Sequence, residues 1–166
     1  MDKKIQFILS NIDLYQNKVF FKKIANLIKS RLGYKLLTFT VIDKSQTFVE
    51  RVYTSNNKIY PLMGVKKIPQ NEWKKKVIKQ KHNFFLNSRE RIKEIFYDYD
   101  IIFSLGCGSI INYLVLFQGK ILGTINILHK EGYYKKKHIK ELKIYSNLLI
   151  SHYINHQNLM KKNNRK

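Results

Sequence analysis

Residues Asp98 to His129 read DYDIIFSLGCGSIINYLVLFQGKILGTINILH, and the second half of this stretch decides the fold. Two apolar runs, 109–117 and 121–129, flank the short turn Gln118-Gly119-Lys120, which is the pattern of a β-hairpin. A hairpin made solely for a core would be apolar wherever it faces inward. This one carries Ser109, Asn112, Thr124, Asn126 and His129, and Gly106-Cys107-Gly108 precedes it. An unpaired buried amide or hydroxyl costs roughly 1–3 kcal/mol, so these groups need partners. They either brace neighbouring loops or line a pocket. The loop length sets the register. A three-residue loop with Gly119 or a neighbour in the left-handed region pairs Asn112 with Asn126 and Ser109 with His129. A two-residue loop would put the two asparagines on opposite faces. The three-residue loop is the expectation.

Upstream, residues 15–32 predict an amphipathic helix, with Val19, Phe20, Ile24, Leu27 and Ile28 at helical spacing and Gly33 placed as its C-terminal cap. Residues 36–43 (LLTFTVID) predict a strand by their β-branched and aromatic content. Lys44-Ser45 is a turn, and 46–55 is the partner strand. Strict alternation on that strand puts Val49, Arg51, Tyr53 and Ser55 on one face and Phe48, Glu50 and Val52 on the other. Residues 56–69 are irregular, broken by Pro61, Gly64 and Pro69. Asn71 caps a helix through Trp73 and Val77, 83–86 is a short strand, and Asn87 or Ser88 caps a helix over 89–96. Residues 135–159 predict a long terminal helix whose inner stripe is Ile139, Leu142, Tyr145, Leu149 and His152.

This order predicts an α+β fold: an antiparallel sheet with the first and last helices on one face. The insert must then cross the other face, leaving a cavity between sheet and insert. The 166 residues amount to about one domain, read as a lead-in over 1–14, a single domain over 15–158 and a frayed lysine-rich tail over 159–166. No run reaches the roughly 18 apolar residues of a membrane span. The start of the chain lacks the pattern of a secretory signal, and the single cysteine, Cys107, cannot pair internally. A cytoplasmic protein is expected.

The net charge of +21 comes from 27 Lys and only 5 Arg. Nucleic-acid readers lean on Arg. Lysine-rich composition alongside abundant Asn, Ile, Phe and Tyr fits A/T-rich codons, so nucleic acid is disfavoured as a partner. A basic face built on Lys74-Lys75-Lys76 and Lys135-Lys136-Lys137 stays as the alternative.

The series Glu50-Arg51-Val52-Tyr53-Thr54-Ser55-Asn56, Tyr60-Pro61, Gly64, Trp73, Phe96-x-Asp98, Ser104-Leu105-Gly106-Cys107-Gly108-Ser109, Asn112 and Gly123-Thr124-x-Asn126-x-Leu128-His129 resembles small bacterial GAF-domain proteins. The resemblance covers nearly the whole chain. It implies a five- or six-stranded antiparallel sheet, helices behind it and a small-molecule pocket in front. It also implies a homodimer through the terminal helices, and it leaves the ligand unnamed. Three branches of the family fit poorly. The NKFDE motif of cyclic-nucleotide GAF domains is absent. Bilin-binding domains commonly follow their attachment Cys with His, where this chain has Gly108. Free methionine-R-sulfoxide reductases work with several cysteines, and one cannot run the internal resolving step.

The expected function is therefore a small-molecule sensor or binding module for an anionic or planar metabolite, acting through a dimer or a partner. Arg51 would clamp a carboxylate or phosphate, with Tyr53, Ser55, Ser109, Asn112 and Asn126 as polar contacts. Tyr60 and Trp73 would stack on a planar group, or else anchor the insert. The alternative is a small enzyme with Cys107 as nucleophile and His129 or Asp98 as its base. Asp98 and Asp100 flank Tyr99, and such carboxylates more often cap helices or pair with lysine. No metal is expected: His152 and His156 sit one turn apart with no third ligand in view, and they are read as interface or surface residues. The sequence names no cofactor.

Overall fold

The computed structural model of the chain describes residues 3–11, 17–62 and 64–163, with side chains described to 160. Helix α1 (Lys3–Ser10) leads to α2 (Asn17–Leu32). Strands β1 (Leu36–Ile42), β2 (Phe48–Thr54) and the two-residue β3 (Lys66–Lys67) follow. The short helix α3 (Glu72–Lys74) runs into a π-helical turn over Lys75–Lys79. Then come β4 (Phe84–Leu86), α4 (Arg89–Ile95), α5 (Tyr99–Ser104), the hairpin β5 (Ser109–Phe117) and β6 (Lys120–His129), and the long α6 (Lys136–Asn163). Among the described residues, no helix is long and apolar enough to cross a membrane.

The strands form one six-stranded antiparallel sheet in the order β3-β2-β1-β6-β5-β4. On one face Leu37, Phe39, Val41, Ile111 and Ile125 bury against Phe20 and Ile24 of α2 and Leu142, Leu149 and Tyr153 of α6. The other face carries a second, smaller core, in which Leu36, Ile42, Ile110 and Leu128 meet Val77, Phe84, Ile92 and Ile102 of the insert. This is the α+β layout that the pattern of apolar runs predicts. The expected α2 begins at residue 15, but Tyr15 lies outside the described residues. The lead-in contains α1, and α6 continues past 159 to Asn163; residues 1–2 and 164–166 lie outside the description.

Two irregularities decide which side chains face the insert. The first is at the hairpin. The loop has two residues, Gln118 and Gly119, both at positive φ (49° and 72°), which is the geometry of a type I′ turn. That corrects the three-residue expectation. The expected pairing nevertheless stands, because a bulge at Leu122 supplies the extra residue. Leu116 faces Ile121, Val115 faces Gly123, and from there Asn112 pairs with Asn126 and Ser109 with His129. The second is in β2. Thr40 pairs with Arg51 but Phe39 pairs with Tyr53, so Val52 is an inserted residue and strict alternation fails. Arg51 stays on the insert side. Tyr53 is turned to the helix side, where it packs against Phe39 and Phe21.

Candidate ligand-binding cavity

A cavity of about 240 Å³ lies between the sheet and the insert. Its floor is the insert-facing side of three central strands: Thr38 and Thr40 of β1, Thr124 and Asn126 of β6, and Ile110 and Asn112 of β5. Arg51 and Val49 of β2 form one side. Tyr60, Trp73, Phe96 and Asp98 from the insert form the roof, and Lys66, Lys67 and Tyr97 also line it.

The roof is held by short local devices. The Asn71 side chain accepts the N–H of Lys74, the expected N-cap, and its amide donates to the carbonyl of Ile95, tying α3 to α4. Ser88 caps α4 by accepting from the N–H of Arg91. Tyr60 donates its hydroxyl to the Asp98 carboxylate. Burial and then the neighbouring Asp98 charge push the Tyr60 hydroxyl well above its ordinary range, so it stays protonated as that donor. Asp98 stands at the N-terminus of α5 without capping it.

Arg51 reaches over this roof. Its guanidinium carbon sits 4.0 Å from the centre of the Tyr60 ring, a cation–π contact, and Nη1 donates to the carbonyl of Pro61. Its Nε is shielded from solvent and has no hydrogen-bond partner. The described ion pairs join Arg51 to neither Glu50 nor Asp98. Glu50 instead crosses to the helix side and meets His156 Nε2 at 2.9 Å.

The floor is a connected polar network. Trp73 Nε1 donates to Asn112 Oδ1 (2.9 Å), and Asn112 Nδ2 donates to Asn126 Oδ1 (2.7 Å). Thr124 Oγ1 also donates to Asn126 Oδ1 (2.8 Å), Asn126 Nδ2 donates to Thr38 Oγ1 (3.1 Å), and the hydroxyls of Thr40 and Thr124 meet at 2.6 Å. Trp73 thus acts both as roof anchor and as a network member.

The structure brings Arg51, Tyr60, Trp73, Asp98, Asn112 and Asn126 to one cavity. It sends the remaining candidates elsewhere. Tyr53 is on the helix side. The Ser55 hydroxyl accepts the backbone N–H of Leu37 at 2.9 Å, closing the end of the β1–β2 ladder. Ser109 is fully buried and donates to the carbonyl of Lys130. Cys107 is also fully buried, and burial pushes its thiol up to about 11 despite the positive charges of Lys35 and Arg89. The flanking glycine Gly108 serves chain packing: a Cβ there would meet the backbone of Glu131 at 2.9 Å, and its N–H donates to the carbonyl of His129. His129 stacks on Tyr133 and accepts the N–H of Lys130 through Nδ1, with its basicity lowered by burial and by Lys35. No described contact joins Cys107 to His129 or Asp98, so the nucleophile–base arrangement is not assembled. His152 is not a surface residue: it is buried and stacked on Phe20 at 3.8 Å.

Sequence reasoning missed Thr38 and Thr40. Their signal was present: they alternate with Leu37, Phe39 and Val41, so both share the face that the helices leave uncovered. Lys66, Lys67 and Tyr97 had no periodic signal, because the insert places them.

The sequence matches no protein-family model and no curated protein. Solved structures do match the fold. The GAF domain of a phosphoenolpyruvate-protein phosphotransferase from Coxiella burnetii is similar over 96% of this chain and 95% of its own, with TM-score 0.67 at 13% identity. The phycocyanobilin-bound GAF domain of a cyanobacterial phytochrome has TM-score 0.65 at 13% identity, covering 95% of each chain. A type II free methionine-R-sulfoxide reductase from Thermoplasma acidophilum has TM-score 0.65 at 13% identity, over 93% of this chain and 96% of that one.

Proposed function

We propose that this chain, which has the GAF fold, is a binding module for a small anionic metabolite and serves as a sensor. The observation that carries this reading is Arg51. Its side chain lines the cavity and places a guanidinium charge on the wall. An anionic guest would accept charge-assisted hydrogen bonds from that group. Lys66 and Lys67 on the same wall favour the same charge. At about 240 Å³ the cavity falls below the roughly 300–1,000 Å³ typical of drug-sized ligands, so the guest is small.

A sensor needs a route out of its pocket. Several contacts run from cavity strands to α6, among them two close to the cavity residues. The Tyr153 hydroxyl donates to the carbonyl of Thr124 at 3.0 Å, and His156 meets Glu50, the chain neighbour of Arg51. The helix layer also exposes Phe7 and Leu9 of α1 and Ile144 and Leu159 of α6, which supports a homodimer through these helices. Sedimentation velocity reads that state directly.

Thermal melting against a panel of small carboxylates and phosphates tests the binding role. At 100 times Kd a ligand adds about 2.7 kcal/mol. In a chain of this size that raises Tm by roughly 5–10 °C. The rise is expected in the native protein and lost in Arg51→Met. A panel that shifts neither protein, or both equally, removes the reading.

The similarity in fold to a reductase raises an enzymatic reading, but the sealed Cys107 gives it no support here.

A further inference from the structure

The insert that roofs the cavity turns apolar side chains outward. Leu62 is 54% exposed and Tyr97 77%, and Ile59 and Val65 are exposed with them. A single exposed aliphatic is ordinary, whereas several on one ordered surface mark a contact site. Hydrogen bonds bring these four residues together. The Asn56 side chain accepts the N–H of Ile59 and the Asn57 side chain accepts that of Leu62, so the loop is a fixed turn. The Tyr60 hydroxyl joins that turn to Asp98, the chain neighbour of Tyr97. Lys66, the neighbour of Val65, donates from Nζ to the Tyr97 hydroxyl at 3.3 Å.

Lysines ring the patch. Lys58 lies within the turn, Lys66 and Lys67 form β3, and Lys93 of α4 sits over the ring of Tyr99. The acids of this side cancel little of that charge. Asp98 takes the Tyr60 proton, and Glu72 and Glu94 both pair with Arg91. Asp100 on α5 and Glu90 on α4 oppose the lysines. The composition separates two kinds of partner. Protein interfaces are enriched in Trp, Arg and Met and depleted in Lys. Here Arg51 and Arg91 are engaged within the protein, and the outward groups are aliphatic, tyrosine and lysine. Those groups suit a lipid surface. Aliphatic side chains enter the acyl boundary, tyrosine rests at headgroup level, and lysine reaches past apolar surface to phosphate. The chain's charge of +21 draws it toward any anionic leaflet, and the patch decides which face lands.

We infer that the insert face docks on an anionic lipid bilayer, with Ile59, Leu62, Val65 and Tyr97 entering the headgroup boundary and Lys58, Lys66 and Lys67 meeting lipid phosphates. Lys66, Lys67 and Tyr97 also line the cavity, so docking turns its mouth toward the membrane. The inference goes beyond the binding role proposed above and does not depend on it, because the patch is present whether or not the cavity holds a guest.

The test sediments the whole chain with vesicles of phosphatidylcholine alone and of equal parts phosphatidylcholine and phosphatidylglycerol. The chain pellets with the mixed vesicles and stays in solution with the neutral ones. Two double variants of equal charge separate docking from general attraction. Lys58→Glu with Lys67→Glu alters the patch, and Lys136→Glu with Lys137→Glu alters exposed positions at the start of α6. A lysine beside an anionic surface is worth roughly fivefold in affinity. The first pair therefore lowers binding at least tenfold, and the second far less. Leu62→Ser with Tyr97→Ser keeps the charge and also lowers binding at least tenfold. Melting midpoints verify that each variant is folded; if one fails, the other two and the vesicle comparison still decide. Equal losses from the two lysine pairs, or serine substitutions without effect, mean diffuse charge attraction and overturn the inference. Failure to pellet with either vesicle overturns it, and so does equal pelleting with both. Displacement by excess soluble glycerol 3-phosphate would place the attraction in a free-phosphate site, and a single-stranded oligonucleotide that binds more tightly than the mixed vesicles would make the face a nucleic-acid surface; either result overturns the lipid assignment. The carboxylate and phosphate panel is read without vesicles, so the binding role stands or falls separately.

Discussion

At the scale of single residues, Trp73 and Asp43 carry more of the structure than their neighbours suggest. Trp73 joins the insert to the sheet through one N–H bond to Asn112, itself only 5% exposed. Trp73→Phe keeps the ring area and leaves Asn112 Oδ1 without its donor. The expected loss is about 1–3 kcal/mol by chemical denaturation. The Asn112 amide is then free to flip, so side-chain amide resonances of Asn112 and Asn126 should broaden or double in NMR spectra. Asp43 closes the β1–β2 turn. Its carboxylate accepts from the Ser45 hydroxyl and from the N–H groups of Ser45, Thr47 and Phe48. Burial alone would raise its pKa, but the Ser45 hydroxyl and the three N–H groups outweigh that and hold it below the usual carboxylate value. A depressed pKa contributes stability above the unfolded value near 3.9, and that contribution is lost as pH falls through the folded value. Asp43→Ala should therefore melt below the wild type at pH 7, and the gap should narrow as pH falls below about 4. A gap independent of pH would show that the ionised carboxylate contributes nothing.

At the scale of elements, the hairpin shows what could be read in the chain and what could not. The other five strands, the caps at Asn71 and Ser88 and the inner stripe of α6 follow from periodicity and turn chemistry, and the structure has them; the two-residue β3 lies in the stretch 56–69 that the sequence reading left irregular. The two bulges, at Val52 and Leu122, left no mark in composition. Each is an apolar residue within an apolar or alternating run, and only the pairing of the partner strand reveals it. The consequence differed in the two cases. At Leu122 the bulge offset the wrong loop length and preserved the Asn112–Asn126 pairing. At Val52 it moved Tyr53 away from the cavity. The segment 99–104 is helical and is closed by Gly106 at φ 67°. Two glycines of the hairpin separate conformational need from steric need. Gly119 has φ 72° with open space around a would-be Cβ, so Gly119→Ala should cost about 1–2 kcal/mol. Gly123 has ordinary φ, but a Cβ would lie 2.0 Å from the carbonyl oxygen of Thr40 and 2.8 Å from the Tyr153 ring. Gly123→Ala must push β1 from β6, and a loss well above that of Gly119→Ala is expected from the two melting curves. Equal losses would mean that the β1–β6 contact yields without resistance.

At the scale of the whole molecule, a cavity on one face of the sheet and a long helix on the other are joined through the sheet itself. The polar floor was legible from Asn112, Asn126 and Thr124, because polar residues on a central hairpin must be satisfied. Its roof was not, since Tyr60, Asp98 and Lys66 converge from an insert with no periodic pattern. Thr124 belongs to both sides: its hydroxyl sits in the cavity network and its carbonyl takes the Tyr153 proton from α6. Under the proposed binding role, a guest against Thr38 and Asn126 would restrain β6 at Thr124, and the Tyr153 bond would carry that restraint to the helix. Tyr153 is fully buried, so Tyr153→Phe removes one hydroxyl and little packing, about 0.5–1.5 kcal/mol. The Glu50–His156 pair, half-buried, should contribute at most about 1 kcal/mol, so it is the weaker of the two links. Amide hydrogen exchange distinguishes them. With a saturating ligand from the carboxylate and phosphate panel, amides near Tyr153 in α6 should gain protection relative to the free protein. Tyr153→Phe should abolish most of that gain with ligand affinity unchanged, whereas His156→Ala should leave most of it. Protection confined to the sheet and insert in the wild type would separate binding from any response in the helix layer.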